Sequence, residues 1–144
     1  MSDEQQRSQM VRYWWSKALE SLASARREFD AGSYSFAMNR LYYACFYGVS
    51  AVLLHRQQSF RKHSGVRAAF HRQFIKTGLL DTKWGQLYDQ FFEDRQEGDY
   101  VVFVAFEREY VELQIEQCSE FLDRLRVLLP SLDEVEGENG CRSF

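Results

Sequence analysis

The chain has 144 residues and a formal net charge of −3, and aromatic residues make up 16% of it. This length predicts one domain with a hydrophobic core that needs no cross-links. The three cysteines, Cys45, Cys118 and Cys141, are far apart and form no Cys-x-x-Cys pair. They argue against a disulfide framework or a zinc site and favour a reducing compartment. The N-terminal segment is polar and has no apolar signal region, so we expect a cytoplasmic protein without a membrane segment.

The first helix is predicted from about Gln6 to Asp30, because apolar residues recur there at alternating steps of four and three. This apolar seam consists of Val11, Trp15, Ala18, Leu22, Ala25 and Phe29. Gly32 is the expected C-terminal stop, and Ser33 is the expected N-cap of the next helix. A connection this short makes the first two helices antiparallel neighbours.

The second helix, from about Tyr34 to Gln57, is the predicted centre of the fold. Residues 41–54 are apolar or aromatic on nearly every helical face. A run of 14 residues is too short to span a bilayer and is typical of a buried core helix. Because it is apolar all round, the rest of the chain should cover it on all sides.

One charged residue, Arg40, stands at the start of this apolar helix, with Asn39 beside it. Burial of a guanidinium without a polar partner is strongly unfavourable. We therefore expect Arg40 to contact Asp94 or Asp99. Arg40 and Asn39 are also candidate ligand-binding residues, since a cation at the edge of a core can hold an anion.

The third long helix is predicted to be broken into two pieces. The first piece should run from about Ser64 to Lys76, and the second from Thr82 to about Arg95. Asp81 is a plausible N-cap of the second piece. The segment from Arg95 to Tyr100 has the composition of a polar turn.

The last helix should run from about Ala105 to Leu129, where Pro130 stops it. Residues 101–104 are locally strand-like but have no partner strand, so we interpret them as an extended loop or the first turn of that helix. Together, these elements predict an all-α fold, an antiparallel up-and-down bundle of four long helices with the third broken in two. The bundle should occupy residues 1–130, followed by an acidic disordered tail at 131–144.

Charge is distributed very unevenly along the chain. Residues 31–80 contain no Asp or Glu and carry seven Arg and Lys side chains together with all three histidines. Since the whole chain carries −3, the remainder must carry −10. An acid-free basic block attracts anions locally whatever the overall charge. The alternative is that these cations pair with acidic neighbours on other helices or on a partner subunit.

No pattern of metal ligands or of a cofactor loop is present. The histidines His55, His63 and His71 are eight residues apart, which matches no helical ligand spacing, and there is no Glu-x-x-His pair. No glycine loop of the P-loop or Rossmann kind occurs. We therefore expect neither a metal nor a cofactor.

Two polar segments are candidates for a site. The first, Arg61-Lys62-His63-Ser64-Gly65, opens a helix, and backbone N–H groups flanked by Arg and Lys can hold a phosphate. The alternative is an ordinary capping turn.

The second polar segment is Arg95 to Tyr100, which contains a guanidinium, a carboxylate and a phenol. These groups could hold an anionic ligand. The alternative is a junction lock, in which Asp99 caps the last helix and Arg95 pairs with Asp99 or Glu93.

Several motifs taken together resemble one protein family. These are Asn39-Arg40-Leu41-Tyr42-Tyr43-Ala44, Lys62-His63-Ser64-Gly65, Phe74-Ile75-Lys76-Thr77-Gly78 and Arg95-Gln96-Glu97-Gly98-Asp99-Tyr100. In order and spacing they are similar to the HEPN (higher eukaryotes and prokaryotes nucleotide-binding) domain, most closely to its small stand-alone bacterial and archaeal branch. The resemblance extends over roughly Trp14 to Leu129.

The resemblance implies an up-and-down helical bundle that forms a homodimer. It also implies a toxin–antitoxin or defence module with a minimal nucleotidyltransferase as partner. Active members of the family are metal-independent endoribonucleases, with an Arg, four to six intervening residues and a His in a cleft across the dimer. The His moves protons at the 2′-hydroxyl or the leaving oxygen, and the Arg stabilises charge on the phosphoryl group.

This sequence departs from the family motif at the histidine. Counted from Arg95, the positions where it would fall hold Tyr100, Val101 and Val102. A phenol with an ordinary pKa near 10 is a poor general base at neutral pH. Catalysis would therefore require His63 to come from another helix, or would be absent.

Three hypotheses follow for the function. The first is a HEPN-like protein that binds RNA or a nucleotide through Arg95, Tyr100, Asp99 and the basic residues Arg61 and Lys62. The second adds metal-independent RNA cleavage, with His63 or Tyr100 handling protons. The third is a non-catalytic helical dimer that acts as a protein-interaction module.

Overall fold

The computed structural model describes residues 2–100, 105–130 and 132, with side chains in the fourth helix described as far as Arg95. These residues form five α-helices and one π-helical turn, without any strand. The helices are α1 (Asp3–Asp30), α2 (Tyr34–His55), α3 (His63–Phe70), α4 (Thr82–Tyr100) and α5 (Arg108–Arg126), and the π-helical turn, His71–Ile75, continues α3. The predicted all-α helical bundle is confirmed.

A Schellman motif joins α1 to α2. The amide of Ser33 donates to the carbonyl of Glu28 at 2.8 Å, and the amide of Gly32 donates to that of Phe29 at 2.9 Å. Gly32 has a φ of +78°, a conformation that side chains with a Cβ rarely adopt. The predicted stop at Gly32 is therefore confirmed. Ser33 occupies the N-cap position of α2, but its side chain makes no capping hydrogen bond.

The end of α2 repeats this motif with a less suitable residue. Gln57 has a φ of +66°, while the amides of Gln58 and Gln57 donate to the carbonyls of Leu53 and Leu54 at 2.9 and 2.8 Å. A residue with a Cβ costs about 1–2 kcal/mol in this left-handed conformation.

The two motifs predict opposite effects on stability. Gly32→Ala should lower the free energy of unfolding by about 1 kcal/mol, whereas Gln57→Gly should leave it unchanged or raise it by several tenths. Urea unfolding followed by circular dichroism measures both. If Gln57→Gly were destabilised as strongly as Gly32→Ala, the left-handed conformation of Gln57 would not be the source of the predicted cost.

Helix α2 is the centre of the bundle, as predicted, since it packs against α1, α3, α4 and α5. Along it, Leu41, Ala44 and Val49 are fully buried. Gly48 allows α5 to approach closely, because a Cβ there would lie 2.9 Å from Leu122 Cδ2. Of the helices in the described ranges, none is both long and apolar enough to cross a membrane.

The predicted polar turn from Arg95 to Tyr100 is wrong, because α4 continues through these residues. Arg, Gln and Glu are good helix formers, and one glycine in a long helix costs only about 1 kcal/mol. Helix α4 begins after Asp81, whose carboxylate accepts a hydrogen bond from the amide of Lys83 at 2.9 Å, as the capping prediction requires. The predicted capping of the last helix by Asp99 lies outside the described side chains.

The predicted boundaries of the other helices need smaller corrections. Helix α1 begins at Asp3 rather than Gln6, because Ser2 and Gln5 form a capping box. Helix α5 extends from Arg108 to Arg126, shorter at both ends than predicted. Residues 101–104, Ser131 and the tail from 133 lie outside the described residues, whereas Leu132 is buried in the core.

Candidate anion-binding site around Arg95

Arg95 of α4 lies against two consecutive tyrosines of α2. Its guanidinium carbon is 5.0 Å from the ring centroid of Tyr42 and 5.3 Å from that of Tyr43. Its Nη2 also donates a hydrogen bond to the Tyr43 hydroxyl at 3.2 Å. A planar guanidinium stacks well on aromatic rings, and each cation–π contact stabilises this arrangement by about 0.5–2 kcal/mol. The half-buried positive charge of Arg95 is thus fixed in position on α2.

The neighbouring tyrosines differ in burial because consecutive residues of a helix point about 100° apart. Tyr42 is fully buried, while Tyr43 is half-buried and reaches the surface. Tyr42 also contacts the ring of Tyr88 at 6.0 Å between centroids. Tyr42 therefore anchors the cluster in the core, and Tyr43 extends it to the surface.

His63, the first residue of α3, joins this cluster from a third helix. Its Nδ1 lies 2.9 Å from the Tyr42 hydroxyl, and its ring stacks on Phe46 with centroids 4.1 Å apart. Burial, and after it the positive charge of Arg95, lowers the pKa of His63 below its usual 6.5. The imidazole is therefore neutral at pH 7, and both it and the guanidinium of Arg95 contact Tyr42.

The two buried phenols remain protonated at physiological pH. Burial raises the pKa of Tyr42 to about 12, although the charge of Arg95 opposes this effect. Burial likewise raises the pKa of Tyr88 well above its usual value of 10. Tyr42, Tyr88 and His63 are thus all neutral, and the guanidinium of Arg95 lies on the Tyr42 ring.

Arg40 faces α1 rather than α4. Its Nε donates to Ser24 Oγ at 3.2 Å, its Nη1 donates to Asn39 Oδ1 at 2.7 Å, and its carbonyl accepts from Ser21 Oγ at 2.7 Å. The predicted contact with Asp94 is wrong. The alternative partner, Asp99, lies outside the described side chains.

Asp94 is buried and instead connects α4 to α5. Its carboxylate accepts hydrogen bonds from Gln90 Nε2 at 2.9 Å and from the Tyr110 hydroxyl. It is 5% exposed, so these two bonds satisfy an acid that has little access to water. The sequence did not indicate this contact, because Tyr110 belongs to a different helix.

A cleft of about 280 Å³ between α1 and α2 connects the surroundings of Arg40 and Tyr43. Its lining contains three cations and one carboxylate, together with serine and tyrosine hydroxyls: Lys17, Arg27, Arg40, Glu20, Ser21, Ser24, Tyr43 and Tyr47. Tyr43, which lines this cleft together with Arg40, also accepts the hydrogen bond from Arg95. Lys17 and Tyr47 could not be predicted as cleft residues from the sequence, since their relation to Tyr43 depends on how the helices pack.

The residues of the basic segment at the start of α3 have different surroundings. Arg61 and Lys62 are exposed, and the carbonyl of Lys62 accepts from the amides of Gly65 and Val66 in an ordinary helix start. Arg61 borders a second cavity, which His63 also lines. The side chain of Tyr100 lies outside the described residues.

Part of the acid-free block does pair with an acidic neighbour. Asp89 of α4 accepts a hydrogen bond from Arg67 Nε at 2.8 Å and lies 2.9 Å from His71 Nε2. Arg67 also stacks over Phe92, with its guanidinium carbon 4.5 Å from the ring centroid. These contacts neutralise one cation of the block and fix α3 to α4.

Cys45 and Cys118 are buried core residues, with their Sγ atoms 3.7 Å apart. Burial raises the pKa of the Cys45 thiol well above its usual value, so it is a poor nucleophile. Among the side chains that the structure describes, no three His, Cys, Asp or Glu residues are grouped as metal ligands.

The fold and the site define a small all-α domain in which a tyrosine-bound arginine lies beside a neutral histidine. Residues 11–128 match the family profile described as HEPN domain. This chain belongs to the HEPN family.

Similar proteins come from a bacterium and an archaeon. A relative from Thermotoga maritima, named "UPF0332 protein", is 42% identical over 127 residues, which cover 88% of this chain and 96% of the relative. Two relatives from Methanocaldococcus jannaschii are named "Putative toxin MJ0142" and "Putative toxin MJ0605". They are 33% and 30% identical, cover 85% and 80% of this chain, and match over 84% and 85% of their own lengths.

Proposed function

We propose that this protein is a toxin-like HEPN protein that binds RNA or a nucleotide at the anion-binding site around Arg95. The observation that carries the proposal is the fixed guanidinium of Arg95 between Tyr42 and Tyr43, with neutral His63 beside it. An arginine held in one orientation can bind a phosphate bidentately without losing much side-chain entropy. The names of the two archaeal relatives support the toxin-like part.

The adjoining cleft extends this site in a direction that suits a polyanion. It contributes Arg40, Arg27 and Lys17 against one acid, Glu20. Tyr43 and Tyr47 offer aromatic faces next to these cations, and bases of single-stranded nucleic acid stack on such faces. A phosphate at Arg95 and a second phosphate in the cleft with Arg40 would both lie near Tyr43.

Substitution of Arg95 provides the test. Arg95→Ala should weaken the binding of a short single-stranded RNA about tenfold to a hundredfold at low salt, because charged hydrogen bonds contribute about 1.5–3 kcal/mol. Fluorescence anisotropy of a labelled oligonucleotide at several salt concentrations measures this loss. The variant should also show a shallower dependence of affinity on salt.

Arg108→Ala is the matched control. Arg108 of α5 also lies over an aromatic ring, that of Phe29 at 5.0 Å, so its removal takes away the same charge and a similar contact. It should leave RNA affinity nearly unchanged. Equal affinities for wild type, Arg95→Ala and Arg108→Ala would overturn the proposal.

A second candidate activity is metal-independent RNA cleavage. The observation that favours it is the position of His63, whose neutral imidazole lies beside the Tyr42 hydroxyl and near the charge of Arg95. A neutral imidazole can accept the proton of a 2′-hydroxyl, and a guanidinium can stabilise the phosphoryl charge that develops. Incubation of single-stranded RNA with the protein and a chelator tests it, with Arg95→Ala as the inactive comparison.

We further propose that the chain forms a homodimer and pairs with a minimal nucleotidyltransferase in a toxin–antitoxin or defence module. The support is membership of the family, together with the exposed apolar residues Tyr13 and Met10, which are 51% and 45% exposed on α1. Analytical ultracentrifugation measures the oligomeric state. A monomer at micromolar concentration would contradict the dimer.

A further inference from the structure

A second cavity, of about 190 Å³, lies between α1, α2 and the segment that connects α2 to α3. Aromatic rings form much of its wall, and several polar groups line it as well; the residues that characterise it are Trp14, Phe46, Phe60, Gln58, Arg61 and His63. His63, whose Nδ1 contacts Tyr42 beside Arg95, also lines this cavity.

The size and walls of the cavity suit one planar ring system. A dry apolar cavity of about 150 Å³ can bind benzene, so a cavity of this volume has room for an aromatic ring. It is smaller than the roughly 300–1,000 Å³ of pockets that enclose whole drug-sized ligands. His63 lies flat on Phe46, with an angle of 22° between the rings, and this pair forms a stacking surface.

Phe60 is placed at the cavity by its contact with the first turn of α3. A Cβ on Gly65 would lie 3.3 Å from Phe60 Cβ and Cδ1, so the absence of a side chain lets the ring pack there. Phe60 nevertheless remains 38% exposed. A large aromatic side chain that is held at a cavity and still exposed can cover a ring that enters from solvent.

The polar part of the lining favours a nucleobase over a hydrocarbon ring. Gln58, Ser50 and His63 supply hydrogen-bonding groups, and the lining contains Arg61 but no Asp or Glu. The whole connecting segment also belongs to the acid-free block. A heteroaromatic ring that carries a phosphate therefore matches both the hydrogen-bonding groups and the charge.

We propose that this cavity binds a single nucleobase of the RNA or nucleotide whose phosphate binds at Arg95. The proposal rests on the function proposed above and adds a base-binding subsite to it. His63 connects the two parts, because its ring lines the cavity while its Nδ1 contacts Tyr42, on which Arg95 lies. The base in the cavity and the phosphate at Arg95 then flank the same imidazole.

The test fills the cavity without removing a charge. Ser50→Leu adds an apolar side chain to the lining, and Ser119→Leu makes the same change at a half-buried position of α5 outside it. The probes are a short single-stranded RNA and an oligonucleotide with the same phosphates but no bases. Because stacking of one base contributes about 1–3 kcal/mol, wild type should prefer the base-bearing RNA about fivefold to a hundredfold.

Ser50→Leu should lose this preference and keep the weaker, Arg95-dependent binding of the abasic oligonucleotide, while Ser119→Leu should behave as wild type. Phe60→Ala, at an exposed position, should reduce the preference severalfold even if Ser50→Leu does not fold.

Equal wild-type affinities for both oligonucleotides would overturn the base subsite and leave the phosphate site intact. Absence of any oligonucleotide binding would overturn both proposals. Binding of indole in the cavity, without any preference for bases, would instead identify a protein side chain as its occupant and overturn the subsite.

Discussion

Tyr42→Ala should lower the free energy of unfolding by about 3–5 kcal/mol, because it removes a fully buried aromatic ring from the centre of the bundle. This ring contacts five others, those of Tyr43, Phe46, His63, Tyr88 and Phe92. The loss is large compared with the total stability of a domain of this size, about 5–15 kcal/mol. Urea unfolding of the purified protein measures it.

Tyr42→Phe is the control that separates packing from hydrogen bonding. It retains the ring and removes the hydroxyl that lies 2.9 Å from His63 Nδ1, so it should cost only about 0.5–1.5 kcal/mol. A Tyr42→Ala variant as stable as Tyr42→Phe would show that the ring is not the anchor of Arg95 and His63.

RNA cleavage, the second proposed activity, should depend on His63 in its neutral form. His63→Ala should reduce the cleavage rate by about a hundredfold or more, since a positioned general base contributes about 10²–10⁴-fold. Arg95→Ala should cause a comparable loss, because the same step develops negative charge on the phosphoryl group. Single-turnover cleavage of a labelled RNA in the presence of a chelator measures both.

The pH dependence of that rate has a definite sign. Burial and the charge of Arg95 lower the pKa of His63 below 6.5, so the neutral base is present at pH 7 and is lost as the pH falls through that lowered pKa. The rate should therefore be level near neutrality and decline only below pH 6.5. In Arg95→Ala, the pKa of His63 should rise, and the decline of any residual activity should begin at a higher pH. A rate that instead falls from pH 6 to 7 would exclude His63 as the base.

The lowered pKa of His63 should also make the folded protein less stable as the pH falls. Because the folded state binds the His63 proton less readily than the unfolded state, the contribution of neutral His63 is present above pH 6.5 and is lost on acidification. Comparison of wild type with His63→Gln in urea unfolding at pH 5 and pH 8 measures this contribution. The difference in the free energy of unfolding between wild type and His63→Gln should change between pH 5 and pH 8.

The site could be predicted from the sequence only in part. The resemblance implied Arg95, and the histidine missing from its motif made His63 the candidate from another helix; both lie at Tyr42 in the structure. The partner of Arg40 could not be predicted, because the choice between Ser24 and Asp94 depends on which face of α2 meets α1. Similarly, the segment after Arg95 has a turn-like composition, yet it continues a helix that the rest of α4 has already nucleated.

The sequence by itself determined that the chain is helical, where α1 stops, and that the helix after Ser33 lies in the centre. These three properties follow, respectively, from the local periodicity, from one glycine and from an apolar run, and each of these signals acts over a few residues. Only the tertiary structure decided that residues 32 positions apart, His63 and Arg95, flank one buried tyrosine. The physical reason is that the position of Arg95 and the lowered pKa of His63 both depend on packing against α2, which no local pattern encodes.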